Sequence, residues 1–187
     1  MGEVAGHGIS SALHMATVRS ALRQRLALAG SISQIITDVN RQLASDFAVS
    51  GQFVTLFYLS IDPARKILEW VRAGHEPAIF YDSAANSFLE LNGSGMALGV
   101  DKQCQYEKNR IDDFSRGSII VMCTDAVWQA RNEEGQMFGR TAIYDVIRRN
   151  SAAGADDIVK AILGQYKKFR KAAEPEDDVT LVVVKLL

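Results

Sequence analysis

The sequence predicts an α+β fold that is built on antiparallel sheets. Segments rich in aromatic and β-branched residues follow one another in hairpin order between residues 53 and 91, as strands of an antiparallel sheet do. Helical patterns are instead gathered into separate runs, one before residue 50 and one after residue 140. Because strands and helices do not alternate, a parallel sheet with crossover helices is disfavoured.

The first helix is predicted from Ile9 to about Ala29, a stretch that contains no proline. We assign Met15 to the core. The apolar residues assigned to one face of this helix are Ala12, Leu13, Ala16, Leu22 and Leu26.

A second helix is predicted to begin at Ser31, with Gln34 placed to complete a capping box, and to end near Phe47. Its apolar positions recur at helical spacing, which is typical of a helix that packs one face on a core. The further predicted elements are strands at 53–60, 66–73, 78–81, 87–91, 104–111, 119–124 and 179–186, and helices at 141–150 and 156–171.

Length and composition restrict the class of protein. The 187 residues, with no internal repeat or low-complexity linker, predict a single domain spanning residues 1–187. The formal net charge of −1 gives no electrostatic reason to expect nucleic acid or an anionic membrane as partner. No apolar run approaches the ~20 residues of a membrane span, and no secretory signal follows Met1. Cys104 and Cys123 are too few for a disulfide framework or a zinc site, so a cytoplasmic location is expected.

A glycine-rich corner opens the chain. Glu3 and Val4 precede Gly6 and Gly8, whose backbones can take conformations closed to other residues. The corner therefore brings a carboxylate and backbone carbonyls close to a helix start, and these are the oxygen ligands that Mg²⁺ or Mn²⁺ prefers. The alternative is that this strand-to-helix turn is only a turn.

Further carboxylates lie at the ends of two later apolar runs. Asp125 ends the run that begins at Ser118, and the pair Asp177 and Asp178 opens the run that continues to Val184. If these ends meet at one edge of a sheet, repulsion among the carboxylates would be relieved by cations. The alternative is that acidic residues are common wherever strands meet loops.

His75 lies in a predicted break between strands, next to Gly74 and Pro77. It is either a polar group at the rim of a phosphate site or a residue whose ring nitrogens tie a turn together.

Five ordered motifs resemble a known family over nearly the whole chain. They are Gly2-Glu-Val-Ala-Gly-His-Gly8, Phe53-Val-Thr-Leu-Phe57, Ala73-Gly-His75, Thr124-Asp125 and Asp177-Asp-Val-Thr180. In this order they resemble the bacterial metal-dependent serine/threonine phosphatases, the protein phosphatase 2C-like enzymes, in the branch of the sporulation stage II E and stress-response phosphatases. The chain departs from that pattern at Glu3, where the family has Asp, and at Ala126, where it has Gly.

The resemblance implies a β-sandwich of two antiparallel sheets flanked by helices. Family members have two further strands before the glycine-rich corner and an additional acidic metal ligand there. Since Met1 adjoins the motif, we expect the chain to be truncated at its N-terminus and to lack those first strands. Strand edges exposed in this way would favour homo-oligomers.

The implied reaction is hydrolysis of phosphoserine or phosphothreonine on a protein by a water that two Mn²⁺ or Mg²⁺ ions activate, with no other catalytic side chain. By resemblance, Glu3 replaces a bridging Asp, and Val4 offers its backbone carbonyl. Asp125 and Asp177 match the other carboxylate ligands, with Asp178 as an alternative. His75 is assigned to substrate binding.

The resemblance also implies partners. Substrates in this branch are often phosphorylated antagonists of anti-sigma factors, and its members often follow sensor or receiver domains. The chain is therefore a candidate output domain of a bacterial response regulator. The alternative is a phosphatase-fold module that binds a protein without turnover, and the two departures support it. Glu3 adds a methylene to a site whose cations demand near-ideal octahedral geometry. Ala126 places a methyl group where the family has glycine, a residue suited to special backbone angles.

Overall fold

The computed structural model describes residues 1–171 and 177–187, which contain eight strands and four helices. They are β1 Gly2–Val4, α1 Gly8–Leu26, α2 Ile32–Asp46, β2 Val54–Asp62, β3 Ile67–Ala73, β4 Ala78–Asp82, β5 Ser87–Leu91, β6 Asn109–Asp112, β7 Ile119–Cys123, α3 Gly139–Arg149, α4 Ala155–Arg170 and β8 Leu181–Lys185. Across these residues, no helix combines the length and the apolar character that crossing a bilayer would require.

The chain divides into two compact units. The first comprises Met1–Pro77 and Asn92–Asp112, and the second comprises Ala78–Leu91 and Asp113–Leu187.

The first unit consists of a four-stranded antiparallel sheet in the order β1-β2-β3-β6, together with α1 and α2. Helix α2 contacts both α1 and β3. Ile36 and Leu43 of α2 are fully buried, in one cluster with Val54 of β2 and Val71 of β3. The apolar stripe predicted for this helix is therefore the one that packs on the sheet.

The second unit has a four-stranded antiparallel sheet in the order β5-β4-β7-β8, with α3 and α4. Helix α4 contacts α3 and β8. Ile119 of β7, Ile143 of α3 and Ile158 of α4 are fully buried in a single apolar cluster. Strand β7 lies in the interior of the sheet, where its continuous apolar run is buried.

The predicted α+β class is confirmed, because the described residues form two antiparallel sheets and four helices. The start of the second helix is also confirmed, because Ser31 is the N-cap of α2 and its hydroxyl accepts a hydrogen bond from Gln34 N at 3.2 Å.

The face predicted for the first helix is wrong. Helix α1 buries Val18 and Ala21, whereas Leu13 is 64% exposed and Met15, which was expected in the core, is 39% exposed. Apolar residues occur on several sides of this helix, so their spacing alone does not identify the side that packs on α2.

The strand predicted at residues 104–111 begins late, at Asn109. Upstream of it, the backbone of Tyr106 pairs with side chains of α2 instead of with a strand. Its carbonyl accepts a hydrogen bond from Ser33, and its N–H donates one to the hydroxyl of Thr37. These bonds replace the ladder that a strand would need.

Candidate metal centre

Two of the predicted metal ligands line one cleft in the second unit. Asp125 follows β7 and Asp177 precedes β8, and these antiparallel strands pair at this end through Cys123 and Leu181. The cleft has a volume of about 230 Å³ and is lined by Asp125, Ala126, Gln129, Ala130 and Asp177. The expectation that carboxylates at the ends of these two runs lie close together agrees with this arrangement.

Asp178 adjoins this cleft through its backbone. Its N–H donates a 2.7 Å hydrogen bond to Oδ1 of Asp177. Its carbonyl accepts a 3.2 Å hydrogen bond from the hydroxyl of Thr124. Asp178 therefore helps to fix the chain at Asp177, and its own carboxylate is exposed.

Gln129 contacts the carboxylate of Asp125 directly. Its side-chain amide donates to Oδ2 of Asp125 at 3.0 Å, and its backbone N–H donates to the carbonyl of Asp125 at 2.9 Å. Both bonds span four residues, as in one turn of a helix. The carboxylate is thus oriented by a neutral donor.

Ala126, one of the two departures from the family pattern, has an ordinary backbone. It is not among the non-glycine residues with positive φ, which in the described chain are Lys66, Asn86, Asp113 and Lys171. A methyl group at this position therefore introduces no left-handed strain.

In the first unit, Glu3 and Val4 lie on β1, opposite Thr55 and Val54 of β2. Both are half-buried. The corner that follows has the predicted backbone, with φ of 79° at Gly6 and 84° at Gly8. Ser11 ties the corner to α1, because its hydroxyl donates to the carbonyl of Ala5 at 3.1 Å.

His75 is buried, at 3% exposure, in the first unit. Its Nδ1 lies 2.8 Å from the hydroxyl of Thr55, and that hydroxyl lies 3.5 Å from the carbonyl of Glu3. The carbonyl of His75 accepts a hydrogen bond from Arg72. This geometry favours the interpretation in which the histidine ties the break between strands, and its assignment to substrate binding stays a prediction.

Sequence reasoning missed Thr124, Gln129 and Thr55, which are neutral side chains bonded to the predicted ligands or to their backbone. The available signal for Thr124 and Gln129 was their position beside Asp125. The partners of Thr124 could not be read from spacing, because it bonds to residues 54 and 56 positions away.

The donor chemistry at Asp125 and Asp177 fits a hard divalent cation. Mg²⁺ is usually held by one or two carboxylates and keeps several waters, which a cleft of about 230 Å³ can admit. Within residues 1–171 and 177–187, no group of three or more His, Cys, Asp or Glu side chains is arranged to hold a metal ion. Among the described residues of the second unit, the carboxylates of Asp125 and Asp177 line this cleft, and water would complete the coordination of a cation.

The fold defines a class of protein. The PP2C domain of SiaA from Pseudomonas aeruginosa has a similar structure, with a TM-score of 0.84 at 20% identity over 98% of this chain and 73% of that one. RsbX in complex with magnesium is similar with a TM-score of 0.69 at 14% identity, covering 100% of this chain and 79% of RsbX. At these identities the likeness is one of fold, and it confirms the predicted protein phosphatase 2C-like fold.

The family model for Stage II sporulation protein E (SpoIIE) matches residues 1–187. The chain belongs to this family, as the motifs predicted, and its fold is that of a PP2C-type phosphatase domain. It is 28% identical over 185 residues to the phosphoserine phosphatase RsbU of Bacillus subtilis (strain 168), covering 99% of this chain. The chain spans 54% of RsbU, or about half the length of that relative.

Proposed function

We propose that the chain hydrolyses phosphoserine or phosphothreonine on a partner protein in a reaction that depends on two Mn²⁺ or Mg²⁺ ions. The observation that carries the proposal is the pair of carboxylates in one cleft, Asp125 and Asp177, at the paired ends of β7 and β8. The similarity to RsbX in complex with magnesium and to the phosphoserine phosphatase RsbU supports it.

Each predicted ligand has a defined role in this proposal. Asp125 and Asp177 would hold the cations from the second unit, with Asp178 as an alternative ligand. Glu3 would contribute its carboxylate, and Val4 its backbone carbonyl, from the first unit. When bound, divalent ions lower the pKa of a coordinated water and neutralise charge on the phosphoryl group. The protein's own contribution is to hold the carboxylates in place, which Gln129 does for Asp125.

The substrate we propose is a phosphorylated antagonist of an anti-sigma factor, and the upstream partner is a sensor or receiver domain of a signalling protein. Both follow from the motif resemblance, and the description of RsbU as a phosphoserine phosphatase supports the first. We propose neither a nucleic-acid nor a membrane partner, since the net charge is −1. The cytoplasmic location and the homo-oligomer stay predictions.

The alternative function is protein binding without turnover. One residue favours it: Glu3 is a carboxylate one methylene longer than the family's aspartate, and it lies on a three-residue strand paired with β2. A longer side chain from the same backbone places its oxygens differently, and Mg²⁺ tolerates little departure from octahedral geometry.

Release of phosphate from a phosphoserine protein, measured with and without Mn²⁺, tests the proposal. Turnover should require Mn²⁺ or Mg²⁺ and should be lost in Asp125→Asn, which removes the charge but keeps the shape of the side chain. Asp156→Asn is the matched control, because Asp156 is an exposed acid in the first turn of α4 and should leave turnover unchanged. Turnover in the absence of both Mn²⁺ and Mg²⁺, or full activity in Asp125→Asn, would refute the proposal. Binding of the phosphoprotein without turnover would favour the alternative.

A further inference from the structure

Thr124 occupies the last paired position at the end of β7 and β8. Its backbone N–H donates to the carbonyl of Thr180 at 3.1 Å, which extends the ladder one step beyond Cys123 and Leu181. The residue is 8% exposed. Beyond this step one segment continues to Asp125 and the other leads back to Asp177.

The hydroxyl of Thr124 makes two further bonds across the gap between these chains. It donates to the carbonyl of Asp178 at 3.2 Å and accepts from the N–H of Thr180 at 3.1 Å. One side chain thus bonds to the backbone on both sides of Val179. Because a hydroxyl is both a donor and an acceptor, no apolar side chain can replace both contacts.

These bonds connect the two acidic segments. Thr124 is bonded covalently to Asp125. Through the carbonyl of Asp178 it fixes the residue whose own N–H is bonded to Oδ1 of Asp177 at 2.7 Å. A hydrogen-bonded connection between the two acidic residues of this unit therefore passes through the hydroxyl of Thr124.

We propose that Thr124 is a positioning residue that sets the separation of Asp125 and Asp177 for cation binding. This inference rests on the proposed function, since it assumes that the carboxylates of Asp125 and Asp177 bind cations. Thr124 acts through the two acids. Without its hydroxyl, the Thr180 N–H and the Asp178 carbonyl lose this partner, and the backbone bond from Thr124 N–H to the Thr180 carbonyl remains.

The matched variants are Thr124→Val, which keeps the shape and removes the hydroxyl, and Thr124→Ser, which keeps the hydroxyl. Thr37→Val is the control for loss of a buried threonine hydroxyl, since Thr37 is 6% exposed and bonds to the N–H of Tyr106. The Kd for Mn²⁺ is measured by calorimetry on the 187-residue chain, at a temperature where circular dichroism shows each variant folded. Amide hydrogen exchange at Thr180 is measured in the same samples.

Thr124→Val should raise the Kd for Mn²⁺ by about tenfold or more, the usual effect of losing a group that orients a metal ligand. It should also speed exchange at the Thr180 amide. Thr124→Ser should restore both values, and Thr37→Val should change neither. If Thr124→Val does not fold, Thr124→Ala removes the hydroxyl without placing a new methyl group among the backbone polar groups, and the same changes are expected.

Three results would overturn the inference. The first is unchanged Mn²⁺ affinity in folded Thr124→Val or Thr124→Ala. The second is an equal loss of affinity in Thr37→Val, which would indicate general loosening. The third is failure of Thr124→Ser to restore the affinity. Absence of Mn²⁺ binding in the unaltered chain would instead overturn the proposed function, and the inference would fall with it.

Discussion

The side-chain amide of Gln129 donates a 3.0 Å hydrogen bond to Oδ2 of Asp125. The two residues lie one helical turn apart, in the turn that follows β7, and both line the cleft that also contains Asp177. Because this hydrogen bond already orients the carboxylate, little further ordering of the side chain is needed when a cation binds. The neutral amide also adds no negative charge beside two acids.

Replacement of Gln129 should therefore change cation binding in two different ways. Gln129→Met keeps the length of the side chain but has no donor, so the Mn²⁺ affinity should fall by up to about tenfold. Gln129→Glu places a third carboxylate beside Asp125, so repulsion should lower the Tm of the metal-free protein. Mn²⁺ should then raise the Tm of Gln129→Glu by more than that of the unaltered chain.

Calorimetry and thermal denaturation with and without Mn²⁺ measure these effects. Arg131→Lys, which keeps the charge two residues beyond Gln129, is a control for nonspecific changes. Unaltered affinity in Gln129→Met would show that the amide does not hold Asp125 for a cation.

The sequence was sufficient to predict that Asp125 and Asp177 lie close together, because each adjoins an apolar run long enough to be a strand. Once β7 and β8 pair, their ends are neighbours. Reasoning from the sequence was insufficient to predict which side of α1 is buried, since Leu13 and Met15 are exposed although they are as apolar as the residues that are buried. Only contact with α2 distinguishes the buried side of that helix.

Polar side chains that orient the site are harder to predict than the acids. Thr124 and Thr55 act through hydrogen bonds to residues distant in sequence, and neutral hydroxyls occur throughout any chain. His75 presents the same difficulty, because a histidine at a break between strands suits either of the two predicted roles, and the sequence does not show that its ring is buried against Thr55. Identifying such roles requires the tertiary structure.

Shortening Glu3 should strengthen cation binding if the family's geometry applies to this chain. Glu3→Asp withdraws the carboxylate by one methylene from the same backbone position on β1, which is fixed by its pairing with Thr55. We expect a lower Kd for Mn²⁺ and faster Mn²⁺-dependent phosphate release. Glu3→Gln, which keeps the length and removes the charge, should weaken both.

Titration with Mn²⁺ and steady-state kinetics on the three proteins distinguish the outcomes. A Glu3→Asp variant that binds Mn²⁺ less well than the unaltered chain would mean that the site is adapted to glutamate.

Asn40 should be critical for the stability of the first unit. This side chain of α2 is fully buried, its Nδ2 donates to the carbonyl of Asp101 at 2.8 Å, and its Oδ1 accepts from Gly99 N at 2.9 Å. Asn40→Ala leaves both backbone groups without this partner, so the free energy of unfolding should fall by about 2 kcal/mol or more. Urea denaturation measures the change, with Gln42→Ala on the exposed side of the same helix as the control. Equal stability of the two variants would contradict the role of Asn40.

Tyr144 should make the stability of the second unit sensitive to alkaline pH. Burial raises the pKa of its phenol to about 12, and the 2.9 Å hydrogen bond that the phenol donates to Oε1 of Glu90 acts in the same direction. Burial also raises the pKa of Glu90, but the hydrogen bonds from Arg140 and Tyr144 outweigh it, so that pKa is lowered overall. The phenol of Tyr144 is therefore bonded to an ionised carboxylate at neutral pH.

The sign of the pH dependence follows from the raised pKa of Tyr144. In the unfolded chain the phenol loses its proton near its ordinary pKa of 10.0, and in the folded chain only near 12. Its contribution to stability is complete below pH 10 and is lost as the pH rises from 10 through 12.

Tyr144→Phe keeps the ring that stacks on Phe88 at 4.5 Å but has no proton to lose. Thermal denaturation at pH 8, 10 and 11 should show a lower Tm for Tyr144→Phe at pH 8 and a smaller fall in Tm towards pH 11. An identical alkaline decline in both proteins would show that Tyr144 does not contribute to it.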